Sequence, residues 1–312
     1  MTPATHHQRR LAWAPVALLI AVQLILPLAA RADDAAPVAH QPIQFGEFLP
    51  AITDPMAGES VIAGSEAKWQ RPVDIVMYYQ AWGDHQSDWR TPRVDILQKI
   101  APRTALITWE PWDPSAGPWQ TQYAPSAIAH GNYDGYITTW AKALADFGQP
   151  VYLRPMHEMN GGWYPWGGAL WGNPATDYVA AWRHMHSLFV DAGATNVRWV
   201  WSANAQDVPQ SNHFEQYYPG SAYVDVLGLD GYNWGSTQWW SHWQSFDDIF
   251  RGPYDRITQL GNQPVWVAET ASTSQSGDRP AWIRDMWTTA QTLDRLTTII
   301  WFSGDKETDW SI

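Results

Sequence analysis

Short apolar runs alternate along this chain with longer stretches in which apolar positions recur every three or four residues. The runs are Phe45–Leu49, Val73–Tyr79, Thr104–Trp109, Val151–Pro155, Val197–Trp201, Val224–Leu229, Val265–Ala268 and Thr298–Phe302. Each has strand length and is apolar at nearly every position, the pattern of parallel strands buried on both faces. Helical stripes lie between several of them. Ile137, Trp140, Leu144 and Phe147 form one, stopped by Gly148. Tyr178, Trp182, Met185 and Phe189 form another, behind an Asn173-Pro174 N-cap and first-turn pair, and Trp282, Met286, Ala290 and Leu293 form a third. Eight strands alternating with helices predict an α/β fold, a single (β/α)8 TIM barrel over residues 44–312. A doubly wound open sheet competes, but it places a glycine-rich phosphate loop after its first strand. Gly46-Glu47-Phe48-Leu49-Pro50 offers none. The residues after Phe302 are too few for a full eighth helix, so a short carboxyl end is expected.

The amino terminus reads as an address. A polar, positive start (His6, His7, Gln8, Arg9, Arg10) precedes an apolar run from Leu11 to Ala30, and Ala30-Arg31-Ala32 matches a small-x-small cleavage site. Residues 1–32 are expected to be a signal peptide and residues 33–43 a linker, which places the mature protein outside the cytoplasm, secreted or periplasmic, and off the membrane. The run is also long enough for an uncleaved anchor.

Composition narrows the function. The chain has no cysteine, which excludes disulfides, thiolate zinc sites and a cysteine nucleophile. With 19 basic against 31 acidic residues and a net charge of −12, it lacks the basic surface that nucleic acid or anionic lipid requires. It carries 23 tryptophans, more than a core needs. Wide, rigid indole faces stack on flat rings, and the acidic balance favours sugars over bases.

In a parallel barrel the chemistry sits at the carboxyl ends of the strands. Those ends read Trp109-Glu110, Arg154-Pro155-Met156-His157-Glu158, Ser202-Ala203-Asn204, Asp230-Gly231-Tyr232-Asn233-Trp234, Glu269-Thr270 and Trp301-Phe302-Ser303. Glu158 and Glu269 fall on strands four and seven, which face each other across the mouth. A carboxylate pair across a sugar cleft is the minimum equipment for glycoside hydrolysis. A salt-bridging or surface role is the alternative for either glutamate alone. Alternation along strand four puts Arg154, Met156 and Glu158 on one face, so Arg154 either holds a carboxylate ionised or makes a structural salt bridge. His157-Glu158-Met159-Asn160-Gly161 begins like a zinc-binding H-E-x-x-H helix but lacks the second histidine. His184 and His186 do not share a helix face, and Asp305, Glu307 and Asp309 lack the glycine of a calcium loop. No metal and no cofactor is expected.

The run Arg154-Pro-Met-His157-Glu158-Met-Asn160-Gly161-Gly-Trp163-Tyr-Pro-Trp166-Gly resembles the signature of family 26 glycoside hydrolases, whose best-known members are endo-β-1,4-mannanases. Val265-Trp-Val-Ala-Glu269 is similar to the family's nucleophile strand and Gly228-Leu-Asp230-Gly-Tyr232 to its sixth strand. The resemblance implies a retaining (β/α)8 hydrolase with Glu158 as acid/base and Glu269 as nucleophile. It further implies that His157 binds substrate, that Tyr232 hydrogen-bonds the nucleophile beside Asp230, and that Trp163 and Trp301 line the subsite where cleavage begins. Trp109, Glu110 and Trp166 join these as substrate-binding candidates from their place on the rim. The expected reading is a secreted, monomeric endo-β-glycanase whose partner is a polysaccharide, β-1,4-mannan first. Many mannanases carry Trp-Phe-Trp-Trp-Gly where this chain has Trp163-Tyr-Pro-Trp-Gly, which keeps mixed-linkage β-glucan and β-1,3-xylan open. A non-catalytic carbohydrate-binding protein is the alternative of another class.

Overall fold

The computed structural model describes Met1 and residues 42–54, 58–83, 92–169 and 172–312. The expected signal peptide beyond Met1, and the expected linker up to residue 41, lie outside the described residues. Contacts divide the chain after Ala39, and the barrel is built within the unit His40–Ile312.

Eight parallel strands close in chain order: β1 (Gln44–Phe48), β2 (Ile75–Ala81), β3 (Thr104–Glu110), β4 (Val151–Pro155), β5 (Val197–Asn204), β6 (Val226–Asn233), β7 (Val265–Ser272) and β8 (Leu296–Phe302), with β8 returning to β1. The helices are α1 (Gly58–Trp69), α2 (Val94–Ile100), α3 (Pro125–Ala129), α4 (Asp134–Phe147), α5 (Ala175–Asp191), α6 (Phe246–Ile257) and α7 (Arg279–Ala290). The (β/α)8 expectation holds. The stripes on α4 and α5 bury Ile137, Trp140 and Leu144, and Tyr178, Trp182, Met185 and Phe189. Gly148 ends α4 with φ 70°, its N–H donating to the Leu144 carbonyl. Two local expectations need correcting. Helix α5 starts one residue late, because the Asn173 amide turns away to donate to the Pro165 and Gly167 carbonyls and Pro174 takes the cap position. Leu293 lies beyond α7, buried in the turn after it.

Strand parity decides what faces the barrel interior, since neighbours point to opposite sides. Met77, Thr108, Arg154 and Asp230 meet one another inside. The intervening Tyr78, Trp109 and Trp201 are buried on the helix side. Strand β7 interrupts this alternation. Its pairing with β6 steps from Leu229–Val267 to Asp230–Glu269, leaving Ala268 as an extra residue. Trp266 packs on Tyr152 of β4, and Glu269, three residues on, reaches Arg154 of the same strand. Such a bulge re-aims a side chain: without it Glu269 would point at the helices.

Residues 303–312, after β8, form no helix. Asp305 bridges Asp309, and Trp310 tucks its indole, 1% exposed, against Tyr232 and Trp234. The Trp310 carbonyl accepts the indole N–H of Trp301.

Candidate active site

Glu269 sits at the centre of the mouth. One carboxylate oxygen accepts the Tyr79 hydroxyl at 2.5 Å and the Arg154 guanidinium, and the other accepts the Tyr232 hydroxyl. Burial pushes its proton affinity up, but the charge of Arg154 and the two tyrosine hydroxyls outweigh burial and hold its pKa at about 2. It is an ionised carboxylate at neutral pH.

Arg154 is wholly buried. It donates to Thr108 at 2.7 Å, to Asp230 at 3.0 Å, and to Glu269. One guanidinium faces two carboxylates, and burial pushes Asp230 up to about 7 against the pull of Arg154. Both sequence readings of Arg154 are therefore met: it makes a structural ion pair, and it keeps Glu269 charged.

Glu158 lies beyond the strand. β4 ends at Pro155, and Met156 and Glu158 adopt left-handed backbone conformations with φ 46° and 53°. The shared face expected for Arg154, Met156 and Glu158 fails at that point, because alternation stops where the strand does. Such conformations cost about 1–3 kcal/mol each and persist where surroundings enforce them. Here the Glu158 N–H donates to the Ser202 carbonyl, and Asn160 clips the turn to β5 through Asn204 and Asp207. Gly161 is required, since a Cβ there would lie 2.4 Å from the Trp163 ring. Burial raises the Glu158 pKa well above the carboxylate range, and the charges of Asp230 and Glu269 add to it. The indole N–H of Trp163 donates to its Oε2 at 2.6 Å and opposes the rise.

Trp163→Phe removes that donor and keeps a ring. The alkaline limb of the kcat/KM profile should move to higher pH, because the lost hydrogen bond favoured the charged form. A pH–rate profile with an unmoved alkaline limb would show that Trp163 acts only by contact.

His157 is buried, with Nε2 3.0 Å from the Tyr164 hydroxyl and Nδ1 without a partner among the described residues. Burial and the charge of Arg154 hold it neutral. A neutral ring with one unpaired nitrogen suits a sugar hydroxyl. Glu110 is 5% exposed, accepts the Trp112 indole N–H, and is pushed up to about 7 by burial, with Glu269's charge adding. Asp230 is too deep to reach a ligand and acts through Arg154.

The structure moves three tryptophans out of the expected binding set. Trp109 packs against Trp82, Tyr136 and Trp140 on the helix side of β3. Trp301 faces Trp69 and Trp282, again toward the helices. Both have odd parity relative to inward neighbours, Thr108 and Phe302. Trp166 is fully buried, stacked on Tyr164 with its N–H on the His157 carbonyl, and buttresses the turn. Trp163, 38% exposed, remains at the mouth. Tyr79 and Phe302 were missed. Tyr79 donates its hydroxyl to Glu269, and Phe302 packs between Tyr79 and Tyr232. Trp109→Ala should lower stability by about 3–5 kcal/mol, as large-to-small core changes do, and leave KM unchanged. A raised KM with intact stability would return Trp109 to the cleft.

Among the described residues one cluster has metal-ligand chemistry, Asp207, His213 and Glu215. Arg256 already fills it, 2.8 Å from Asp207 and 2.7 Å from Glu215. Glu307 pairs with Lys306, and the Asp309 carboxylate accepts the Ser311 N–H. His184 lies 2.6 Å from Asp134, and His186 packs on Trp199 and Tyr223.

The sequence pattern of glycosyl hydrolase family 26 matches residues 130–284, a span that holds Glu158 and Glu269. The chain belongs to glycoside hydrolase family 26. Endoglucanase H of Acetivibrio thermocellus is 37% identical over 81% of this chain, which covers 27% of that protein. Mannan endo-1,4-beta-mannosidase A and B of Caldalkalibacillus mannanilyticus is 37% identical over 29% of the chain and 18% of its own length. The chain thus spans about a quarter or less of these relatives. The Bacillus subtilis mannanase BCman superposes with a TM-score of 0.62 at 19% identity, covering 88% of this chain and 82% of that one, which shows the shared barrel.

Proposed function

We propose that this family 26 protein is a retaining endo-β-glycanase in which Glu269 attacks the anomeric carbon and Glu158 protonates the departing oxygen. The observation that carries the reading is the opposed proton affinity of two carboxyls at one barrel mouth. Glu269 is held ionised by Arg154, Tyr79 and Tyr232, and Glu158 is held protonated by burial and by its acidic neighbours. A nucleophile and an acid are what a double displacement demands. After the glycosyl ester forms, Glu158, now a carboxylate, takes a proton from the incoming water.

For the substrate, β-glucan comes first. The endoglucanase aligns along most of the chain, whereas the mannan hydrolase aligns over a much shorter stretch. β-1,4-Mannan, which the signature motif suggested, is the second reading. We also read residues 1–32 as an export signal, so that the enzyme works outside the cytoplasm. Sequencing the amino terminus of protein recovered from medium or periplasm tests this, with a start at Asp33 expected.

The deciding experiment incubates purified protein with mixed-linkage β-glucan, mannan and β-1,3-xylan and follows new reducing ends. Cleavage of β-glucan, with the β-anomer formed first by NMR, is expected. Cleavage of mannan alone transfers the enzyme to the second reading. Silence on all three removes the hydrolase reading.

A further inference from the structure

Two tryptophans lie far more open than anything in the cleft. Trp239 is 95% exposed and Trp240 53%. Both sit in the loop between β6 and α6, residues 234–245. Single exposed apolar residues need no explanation, but two adjacent indoles are among the largest apolar surfaces a chain displays.

The loop is not a slack segment that happens to expose them. Ser241 Oγ donates to the Gly235 carbonyl at 2.7 Å, and the Gln238 N–H donates to Ser241 Oγ. Ser236 N–H reaches Ser276 Oγ at 3.0 Å in the loop after β7. Gly235, with φ 51°, is pressed against that same loop, where a Cβ would lie 2.5 Å from the Gln275 carbonyl. Trp243 anchors the far side by lying on Gly277, where a Cβ would meet its ring at 2.4 Å. The tryptophans divide into anchors, Trp234 and Trp243, and displayed rings, Trp239 and Trp240. Holding an apolar ring rigid in water is costly unless something covers it, and rigidity lowers the entropy lost when it does.

One of the displayed rings, Trp240, is continuous with the catalytic mouth, and Trp239 is its neighbour in the chain. Tyr232, which hydrogen-bonds Glu269, lies 5.9 Å from Trp234 between ring centroids, and Trp234 lies 5.5 Å from Trp240. Trp310 of the carboxyl-terminal tail wedges this line from below, 5.2 Å from Tyr232 and 4.9 Å from Trp234. An aromatic track therefore runs from Tyr232, beside Glu269, through Trp234 out to Trp240 on the rim.

We propose that Trp239 and Trp240 form a remote subsite that stacks on sugar rings of a long β-linked glycan while its scissile bond lies between Glu158 and Glu269. This rests on the glycanase reading of the cleft and extends it. The ligand class is a neutral polysaccharide several sugars longer than the catalytic subsites hold, since stacking on C–H faces asks for no charge.

The test pairs Trp239→Ala, Trp240→Ala and the double variant with a long and a short substrate. On soluble mixed-linkage β-glucan the double variant should lose about five- to tenfold in kcat/KM, mostly as raised KM. On an aryl β-cellobioside it should match the parent. Thermal unfolding should be unchanged, because neither ring is buried. Affinity electrophoresis in gels of β-glucan and of mannan reads binding without turnover, and the double variant should be less retarded. Equal KM and equal retardation for variant and parent overturn the subsite. So does an equal loss on long and short substrates, which would mark a cleft defect, or a shift from dimer to monomer in gel filtration, which would make the rings an interface between copies. If the parent cleaves no glycan but its gel retardation depends on Trp239 and Trp240, the hydrolase reading falls and the subsite stands.

Discussion

Glu269→Ala is expected to lower turnover of the polysaccharide by about four orders of magnitude or more, the scale seen when a covalent nucleophile is removed, while the protein stays folded. Folding survives because of how the charges are shared. Arg154 currently serves both Glu269 and Asp230, and Asp230 is pushed up to about 7 as a result of burial opposed by only a share of that guanidinium. With Glu269 gone, Asp230 has Arg154 to itself and ionises fully, so no buried charge is left unpaired. Glu158 loses one negative neighbour, but burial and the charge of Asp230, the larger causes, remain, so its pKa stays raised. The cavity left by the side chain opens where the proposed displacement places the anomeric carbon, so a small anion such as azide should restore part of the rate. That rescued product should carry inverted configuration, since one displacement replaces two. Reducing-end assays, NMR of the anomeric product and thermal denaturation check the three parts. Turnover within tenfold of the parent would remove Glu269 from the reaction.

Much of this was legible in the chain. The eight apolar runs located all eight strands, because strands buried on both faces show an unbroken apolar signal. The same signal misjudged where strands end. β5, β6 and β7 run on to Asn204, Asn233 and Ser272, through the polar residues that carry the site and that an apolar pattern reads as loop. The carboxylate pair and the neighbours of Glu158 were visible as a motif. Which tryptophans face the cleft was not, since Trp109 and Trp301 differ from inward residues only by one step of strand parity. Parity cannot be read across a bulge, and Ala268 shows no mark in sequence that it is the extra residue in β7. Tyr79 was hidden for a similar reason: it comes directly after Tyr78 in one apolar run, and one tyrosine reaches Glu269 while the other is buried behind the sheet. Hydrogen-bond pairing around the barrel, not local composition, fixes these choices.

Arg154→Met should destabilise the fold by about 3–5 kcal/mol at neutral pH, the cost of breaking a buried ion pair by removing one partner, and should do so in a pH-dependent way. In the parent, Glu269 has its pKa lowered to about 2 from an ordinary 4.5. It therefore contributes stability that is fully present above 4.5 and is lost as pH falls through 2. Without Arg154 the same carboxyl is buried beside Asp230 with no cation, and its pKa rises above the ordinary value. Its contribution then reverses: stability is greatest at low pH, where both carboxyls are neutral, and declines as pH rises from 4.5 through the new pKa. Urea unfolding at pH 5 should already show a deficit, because the parent's Glu269 contribution is fully present there and the variant lacks it, and pH 8 should show a larger one. If Glu269 is the nucleophile, as proposed, the acid limb of kcat/KM should move up as it becomes protonated, with about a hundredfold loss at pH 5. Arg154→Lys restores the charge without the fork that reaches Thr108, Asp230 and Glu269 together, so it should recover most of the stability and only part of the acid limb. A deficit equal at both pH values, with an unmoved acid limb, would mean that Arg154 fills space and that the two tyrosine hydroxyls alone keep Glu269 ionised.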